Sequence, residues 1–328
     1  VREPIPDDKI ERVIFTPNDA VKAALEAIEE RRSYTGVGVR TGISTLDELL
    51  LPGRPGDFIG VIGKTSHYKS GLMQFIARAE AKLIQREHIE DEAIVYVTWE
   101  QSIDEMVAFD LAYTARMNAA DVLLGKVSDE EMERLRMVHG PRRAVLPVYL
   151  IGHSTRELRE RPSITLAVVQ RGLEQLRENY GLKPRAVFLD YLQQIIPEEG
   201  RDKLEQVFNG VSRIKDMALA LGCPVFVGSQ AKMEAYDRKW GVPQIMDSQW
   251  GSNFGHTCDK ALGVWFPIKD LQDGDEIVTK KLTLNVTPNL LIVQILKQKL
   301  RPSGQWLPLF VRPEVNDIQP MDTRKEYL

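Results

Sequence analysis

Eight residues, Gly63 to Ser70 (GKTSHYKS), carry the clearest phosphate chemistry in this chain. They follow an apolar run, Asp57 to Ile62 (DFIGVI), and lead into a helical pattern, Gly71 to Arg86. Strand, glycine-containing turn and helix in that order form the setting of a phosphate-binding P-loop, G-x-x-x-x-G-K-[ST]. Every fixed position matches except the second glycine, which is Tyr68. In that pattern Lys69 reaches the β/γ-phosphates, and the Ser70 hydroxyl holds Mg²⁺. Backbone N–H groups at the helix start add to the cradle, helped by the positive end of the helix dipole. The nucleotide-contacting candidates are therefore Gly63, Ser66, His67, Tyr68, Lys69, Ser70 and Gly71. The competing reading is a Lys-Ser pair that merely starts a helix. A decoy, Gly63-Lys64-Thr65, fails because its first glycine falls on Phe58 and no loop separates strand from lysine.

Three further polar residues stand just after apolar runs. Glu100 follows AIVYVTW and is placed to orient or deprotonate an attacking water. Asp190 follows AVFL, the Walker-B arrangement for holding Mg²⁺. Gln230 follows PVFVGS, where an amide can sense a γ-phosphate. Singly, each is more often a solvated loop residue or a helix cap. Together with the P-loop they favour ATP or another nucleoside triphosphate, with Mg²⁺, over a purely structural reading.

Elements must bring these residues to one edge. Apolar runs alternate with helical patterns from Asp57 onward, which indicates α/β with a largely parallel sheet. Strands are expected at 57–62, 93–99, 186–189 and 224–228, with a shorter one at 148–151. Helices are expected at 103–117, 129–137, 164–178 and 204–221. A later β-rich section covers 281–286, 291–296 and 306–311. Ligands of open α/β sheets bind beyond the carboxyl ends of the strands, where all four polar sites fall. Upstream, Thr16-Pro17-Asn18-Asp19 is a good helix start, and the helix runs to about Arg32 with Val21, Leu25 and Ile28 on one face. That thin stripe fits docking on another subunit or on its own domain equally. The division expected is 1–40, arm and helix, and 41–328, the main domain.

Bulk properties exclude several classes. The 328 residues are 43% hydrophobic and 27% charged, ordinary globular values, and the formal net charge is −4. A histone-like polycation is excluded, though a basic lining inside a ring is not. The two cysteines, Cys223 and Cys258, form no CxxC, which fits thiols in a reducing cytosol. No apolar run approaches the roughly 18 residues of a membrane span, and no signal-peptide pattern opens the chain.

FLDYLQQI at Phe188 to Ile195 resembles the Walker B of DnaB-type replicative helicases, in their C-terminal ATPase domain. TGISTLDELL before the first strand, VSDEEMERL at Val127 to Leu135 and SRIKDMALALGCPVFVGSQ at Ser212 to Gln230 follow the same family pattern. The resemblance runs from Thr16 to the C-terminus and implies a RecA-like P-loop NTPase core preceded by a linker helix. It further implies a hexameric ring, ATP hydrolysis at subunit interfaces and translocation along single-stranded DNA, in DNA replication or processing with partner proteins. Carried across, Lys69 and Ser70 are the P-loop pair, Glu100 the catalytic acid, Asp190 the Mg²⁺ aspartate and Gln230 the γ-phosphate sensor. The family's basic pair, which completes the neighbour's site, falls on Lys297 and Lys299, with Arg301 two residues on. Strand alternation would point all three to one side, with Pro302 marking a strand end.

Three departures stand out: Tyr68 for glycine, Lys299 for an arginine, and SQWGSNFG (Ser248 to Gly255) without the family's loop arginine. A non-glycine at φ > 0 costs on the order of 1–2 kcal/mol, and the Tyr68 ring is expected to crowd the phosphates. Candidate DNA contacts are Arg201, Lys203, Arg238, Lys239 and Trp250, near Lys232, Tyr236, Trp240 and Phe254. Mixed basic and aromatic residues can track phosphates and stack bases. The departures also fit a helicase-derived scaffold with little or no ATPase, gated by nucleotide.

Overall fold

The computed structural model describes residues 16–33, 38–99, 101–156, 164–190, 203–232, 235, 240–249, 251–279 and 282–321. Two units are distinguished, 1–38 and 39–328. In the larger one, the apolar run after Asp57 forms strand β1 (Phe58–Gly63), buried along its whole length. Such a run fits a strand covered on both faces, as parallel sheets require. The other strands are β2 (Glu92–Thr98), β3 (Val148–Ile151), β4 (Lys183–Asp190), β5 (Val225–Gln230), β6 (Lys260–Trp265), β7 (Glu276–Val278), β8 (Thr283–Asn285), β9 (Leu290–Lys297), β10 (Trp306–Arg312) and β11 (Asp317–Pro320). Nine of them make one sheet in the order β11-β10-β9-β6-β1-β5-β4-β2-β3, and β7 pairs with β8 separately. From β6 to β3 all neighbours are parallel, whereas β9, β10 and β11 join antiparallel to one another and to β6.

Period-2 alternation sorts the strands' side chains between two cores. Ile59 and Val61 face one with Phe188 and Phe226; Phe58 and Ile62 face the other with Val187 and Leu189. The first core is closed by α2 (Ser44–Leu49) and α3 (Lys69–Arg86), the latter through Leu72, Met73, Ile76 and Ala77. The second is closed by α8 (Leu166–Tyr180), α9 (Lys203–Leu221) and α10 (Gly251–Thr257). Gly60 permits the last of these contacts, because a Cβ there would lie 2.6 Å from the Phe254 ring. Between β2 and β3 run α4 (Ile103–Ala115), α5 (Ala119–Leu123), α6 (Asp129–Arg134) and α7 (Gly140–Ala144), with a π-turn over Leu135–His139. The single helix expected at 129–137 is thus a capped first turn, a π-turn and a second short helix.

The smaller unit contains α1 (Pro17–Ser33), whose start is held by the Asp19 N–H donating to Thr16 Oγ1 at 3.2 Å. Its apolar residues Val21, Leu25 and Ile28 are 57%, 60% and 49% exposed. Among the described residues no helix is long and apolar enough to cross a membrane. Cys223 and Cys258 are both free and buried.

Candidate nucleotide-binding site

The turn between β1 and α3 is built around two left-handed residues, Ser66 (φ 61°) and Tyr68 (φ 70°). Left-handed residues alternating with right-handed ones turn successive N–H groups toward one concavity, an anion-binding arrangement. Gly63, the last residue of β1, is packed so closely that a Cβ would meet Lys69 Cγ at 2.8 Å and the Val264 carbonyl at 3.0 Å. Lys69 opens α3 and folds back, donating from Nζ to the Lys64 carbonyl oxygen at 2.8 Å. One residue on, Ser70 Oγ donates to Asp190 Oδ1 at 3.0 Å, across from the end of β4. The other Asp190 oxygen accepts from the Tyr96 hydroxyl at 2.7 Å. Burial and the Asp190 charge hold Tyr96 well above the usual phenol range, so its proton stays on this bond. Gln230 lies beside Gly63 in the β1–β5 register, and its Nε2 donates to Thr65 Oγ1.

The loop's other side chains turn elsewhere. Lys64, 2% exposed, pairs with Asp270 at 2.7 Å, which places the decoy lysine away from the Ser70–Asp190 pair. His67 Nδ1 accepts from the Phe266 N–H at 3.2 Å, and its Nε2 lies 3.5 Å from Asp270 Oδ1. Burial lowers the His67 pKa to about 4, with Lys64 and Lys69 adding to the shift against Asp270. Its imidazole is neutral and committed inward, so the phosphate contact expected of His67 is confined to backbone. Tyr68 packs over Gly71 and against Phe266, ring centroids 5.9 Å apart, with its hydroxyl 2.7 Å from the Asn316 side chain. This commitment of the ring corrects the expectation that it crowds the phosphates; the φ > 0 requirement itself is present.

The donor set fits Mg²⁺ and a nucleoside triphosphate. A hydroxyl and a carboxylate oxygen 3.0 Å apart are hard ligands of the kind Mg²⁺ takes, with its remaining positions left to water and phosphate. Lys69 supplies a cation at the start of α3, its Nζ donating to a loop carbonyl. Sequence reasoning found these residues but missed Tyr96 and Thr65, which no motif marks. Only an inward-facing aromatic one strand from Asp190 hinted at the former.

The remaining predicted residues are dispersed. β9 ends at Lys297, so strand alternation does not extend to Lys299 and Arg301, which corrects the common-face expectation. Lys297 Nζ donates to the carbonyls of Gly255 and His256 at the end of α10, at 2.8 and 3.3 Å. Lys299, with its side chain 62% exposed, pairs with Asp259 at 3.0 Å, and Arg301 donates to the Glu48 carbonyl at 2.7 Å. Phe254 is fully buried, edge-on to Phe58 with centroids 5.4 Å apart, and is no base-stacking candidate. Glu100, Arg201, Arg238, Lys239, Trp250 and Tyr236, and the side chain of Lys203, lie outside the described residues.

Residues 38–253 match the family described as DnaB-like helicase C terminal domain. The chain belongs to that family. It is 24% identical over 311 residues to the replicative DNA helicase DnaC of Bacillus subtilis (strain 168), covering 93% of this chain and 62% of that protein. With the replicative DNA helicase DnaB of Leifsonia xyli subsp. xyli it shares 27% over 244 residues, 74% of this chain and 50% of the relative. It thus spans less than two thirds of either relative. A solved ATPase domain superposes with a TM-score of 0.75 at 17% identity, covering 94% of this chain and all of that one. A DnaB-like replicative helicase, studied with its interactions with primase, gives 0.73 at 17% over 92% of this chain and 68% of its own. At these identities the structures speak for the fold, an α/β RecA-like ATPase core with a mixed, mainly parallel sheet. Members of the DnaB-like family are generally ATP hydrolases.

Proposed function

We propose that this chain is the motor domain of a ring-forming, ATP-dependent DNA helicase or translocase acting on single-stranded DNA. The observation that carries the reading is the Ser70–Asp190 contact of 3.0 Å at the strand edge, beside the folded-back Lys69. Bound Mg²⁺-ATP supplies the phosphoanhydride whose cleavage drives the motor. Ser70 and Asp190 hold the metal, and Lys69 neutralises phosphate charge in place of its contact with Lys64. Gly63, Ser66, Tyr68 and Gly71 shape the backbone cradle, with His67 contributing main chain only. Glu100 polarises the attacking water, and Gln230, one hydrogen bond from Thr65, reads the γ-phosphate. From the adjacent subunit, the exposed Lys299 is better disposed to reach a phosphate than Lys297, which holds helix carbonyls. Both remain assigned there, with Arg301 a further cation on the same turn.

Residues 1–40 are assigned to subunit docking through α1, and 41–328 to the motor. Six copies in a cytosolic ring, with DNA contacts at Arg201, Lys203, Arg238, Lys239 and Trp250, complete the reading. A second reading, a nucleotide-gated scaffold with little hydrolysis, is favoured by one observation: Tyr68 holds φ 70° where the P-loop pattern has glycine. Steady-state ATPase with and without single-stranded DNA, on the natural protein and on Glu100→Gln, separates the two. A motor hydrolyses ATP faster with DNA and loses this in Glu100→Gln, after which forked-duplex unwinding is assayed. Binding of ATP with negligible hydrolysis in both proteins supports the scaffold.

A further inference from the structure

Away from the P-loop, α3, α4, α7 and the β10–β11 turn line a half-open cavity of about 390 Å³. Arg78, Lys82, Arg116, Arg142, Arg143 and Arg312 line it, against a single lining carboxylate, Asp317. In a chain with a formal net charge of −4, this concentration of cations is not expected from composition. Nor is it balanced from behind. Buried Asp110 serves two guanidiniums at once, Arg78 at 2.9 Å and Arg143 at 2.7 Å, and Asp317 is taken by Arg312. Among the described residues Lys82 meets the Tyr113 ring and hydroxyl, at 4.7 Å from the centroid and 3.2 Å from the oxygen, and no carboxylate. Arg116 and Arg142 have no carboxylate partner among the described residues. Arg78, 4% exposed, lies 4.2 Å over the Tyr113 ring, and its Nε is buried without an acceptor; the Nε of Arg312 is likewise orphaned.

Six cationic side chains facing one lining carboxylate repel one another, and an anion seated among them relieves that repulsion. Guanidinium forks match phosphate oxygens, and the volume is within the range of small-ligand sites. We propose that this cavity is a second binding site, separate from the P-loop, for a phosphorylated small molecule. Arg78 and Arg143 form its floor, Arg116 and Arg142 its rim, and Val145, Leu146 and Val315 give the ligand's non-phosphate part an apolar wall. A half-open pocket of this size with a buried arginine floor suits a discrete anion better than a passing nucleic-acid strand.

The test is calorimetric titration of inorganic pyrophosphate into the full chain, comparing wild type, Lys69→Ala, and Lys69→Ala combined with Arg116→Glu and Arg142→Glu. Both rim arginines are exposed, so the reversal leaves the melting midpoint unchanged. Lys69→Ala is expected to retain a pyrophosphate site, and the added charge reversal to weaken it at least about tenfold. Loss of all binding in Lys69→Ala overturns the proposal, as does binding indifferent to the reversal, which would mark an adventitious ion only. Displacement of the bound pyrophosphate by oligothymidylate but not by a mononucleotide would also overturn it, assigning the cavity to a DNA strand.

Discussion

Tyr68 concentrates opposing effects in one residue. Its φ of 70° costs on the order of 1–2 kcal/mol relative to glycine, while its ring packing on Phe266 and its hydroxyl contact with Asn316 act the other way. Removing a large, partly buried aromatic loses more than the strain relieved. Tyr68→Gly is therefore expected to lower unfolding stability by on the order of 1–2 kcal/mol in urea titrations, and a higher midpoint would contradict this. His67 sets a pH dependence. Its folded pKa of about 4 lies below the ordinary 6.5, so the unfolded chain takes up the proton first as pH falls. Stability contributed by neutral His67 is intact above pH 6.5 and declines between 6.5 and 4, by about 2 kcal/mol at pH 5. Denaturant midpoints at pH 7 and pH 5 should therefore converge in His67→Gln relative to the natural protein; an equal drop in both would exclude His67 as the cause. Ser70 and Asp190, the residues proposed to hold the metal, were legible because the P-loop and Walker-B patterns encode chemistry directly. The inward turn of His67 was not, since its partner Asp270 lies about two hundred residues away and no local pattern links them.

At the level of elements, the register puts Gly63 beside Gln230 and Thr98 beside Asp190, which gathers residues from four strands at one edge. Arg185 at the opposite end of β4 ties that strand to α3 and β2 through Glu80 and Glu92, both at 2.8 Å. Arg185→Met leaves two carboxylates, one of them almost fully buried, without their cation. A loss of about 3 kcal/mol is expected in chemical denaturation, and an unchanged midpoint would show the network to be dispensable. The strands carrying the site were legible because buried parallel strands read as unbroken apolar runs. β6 was missed despite its place next to β1. It opens on Lys260, a charged residue that sequence assigns to the surface but that is buried against Asp57. β9 was found, yet its end was misread because the turn over 298–301, with Leu300 at φ 71°, breaks the alternation.

For the whole molecule, the α1 stripe is the feature left without a core of its own, with Val21, Leu25 and Ile28 each about half exposed or more. Three apolar side chains at helical spacing are the pattern of a groove-docking helix, and the proposed role of α1 seats them on another copy. Replacing all three by serine should therefore shift the assembly toward smaller species in native mass spectrometry while the melting midpoint of the larger unit holds. An unaltered oligomer would remove α1 from the assembly. The Lys69–Ser70–Asp190 constellation is proposed to hold Mg²⁺-ATP for cleavage, and steady-state ATP hydrolysis with and without single-stranded DNA is the measurement that decides it. Mg²⁺-dependent turnover is expected to rise with DNA and to fall by at least about a hundredfold in Lys69→Ala. Turnover that persists in Lys69→Ala, or none in the natural protein under any condition, would contradict it.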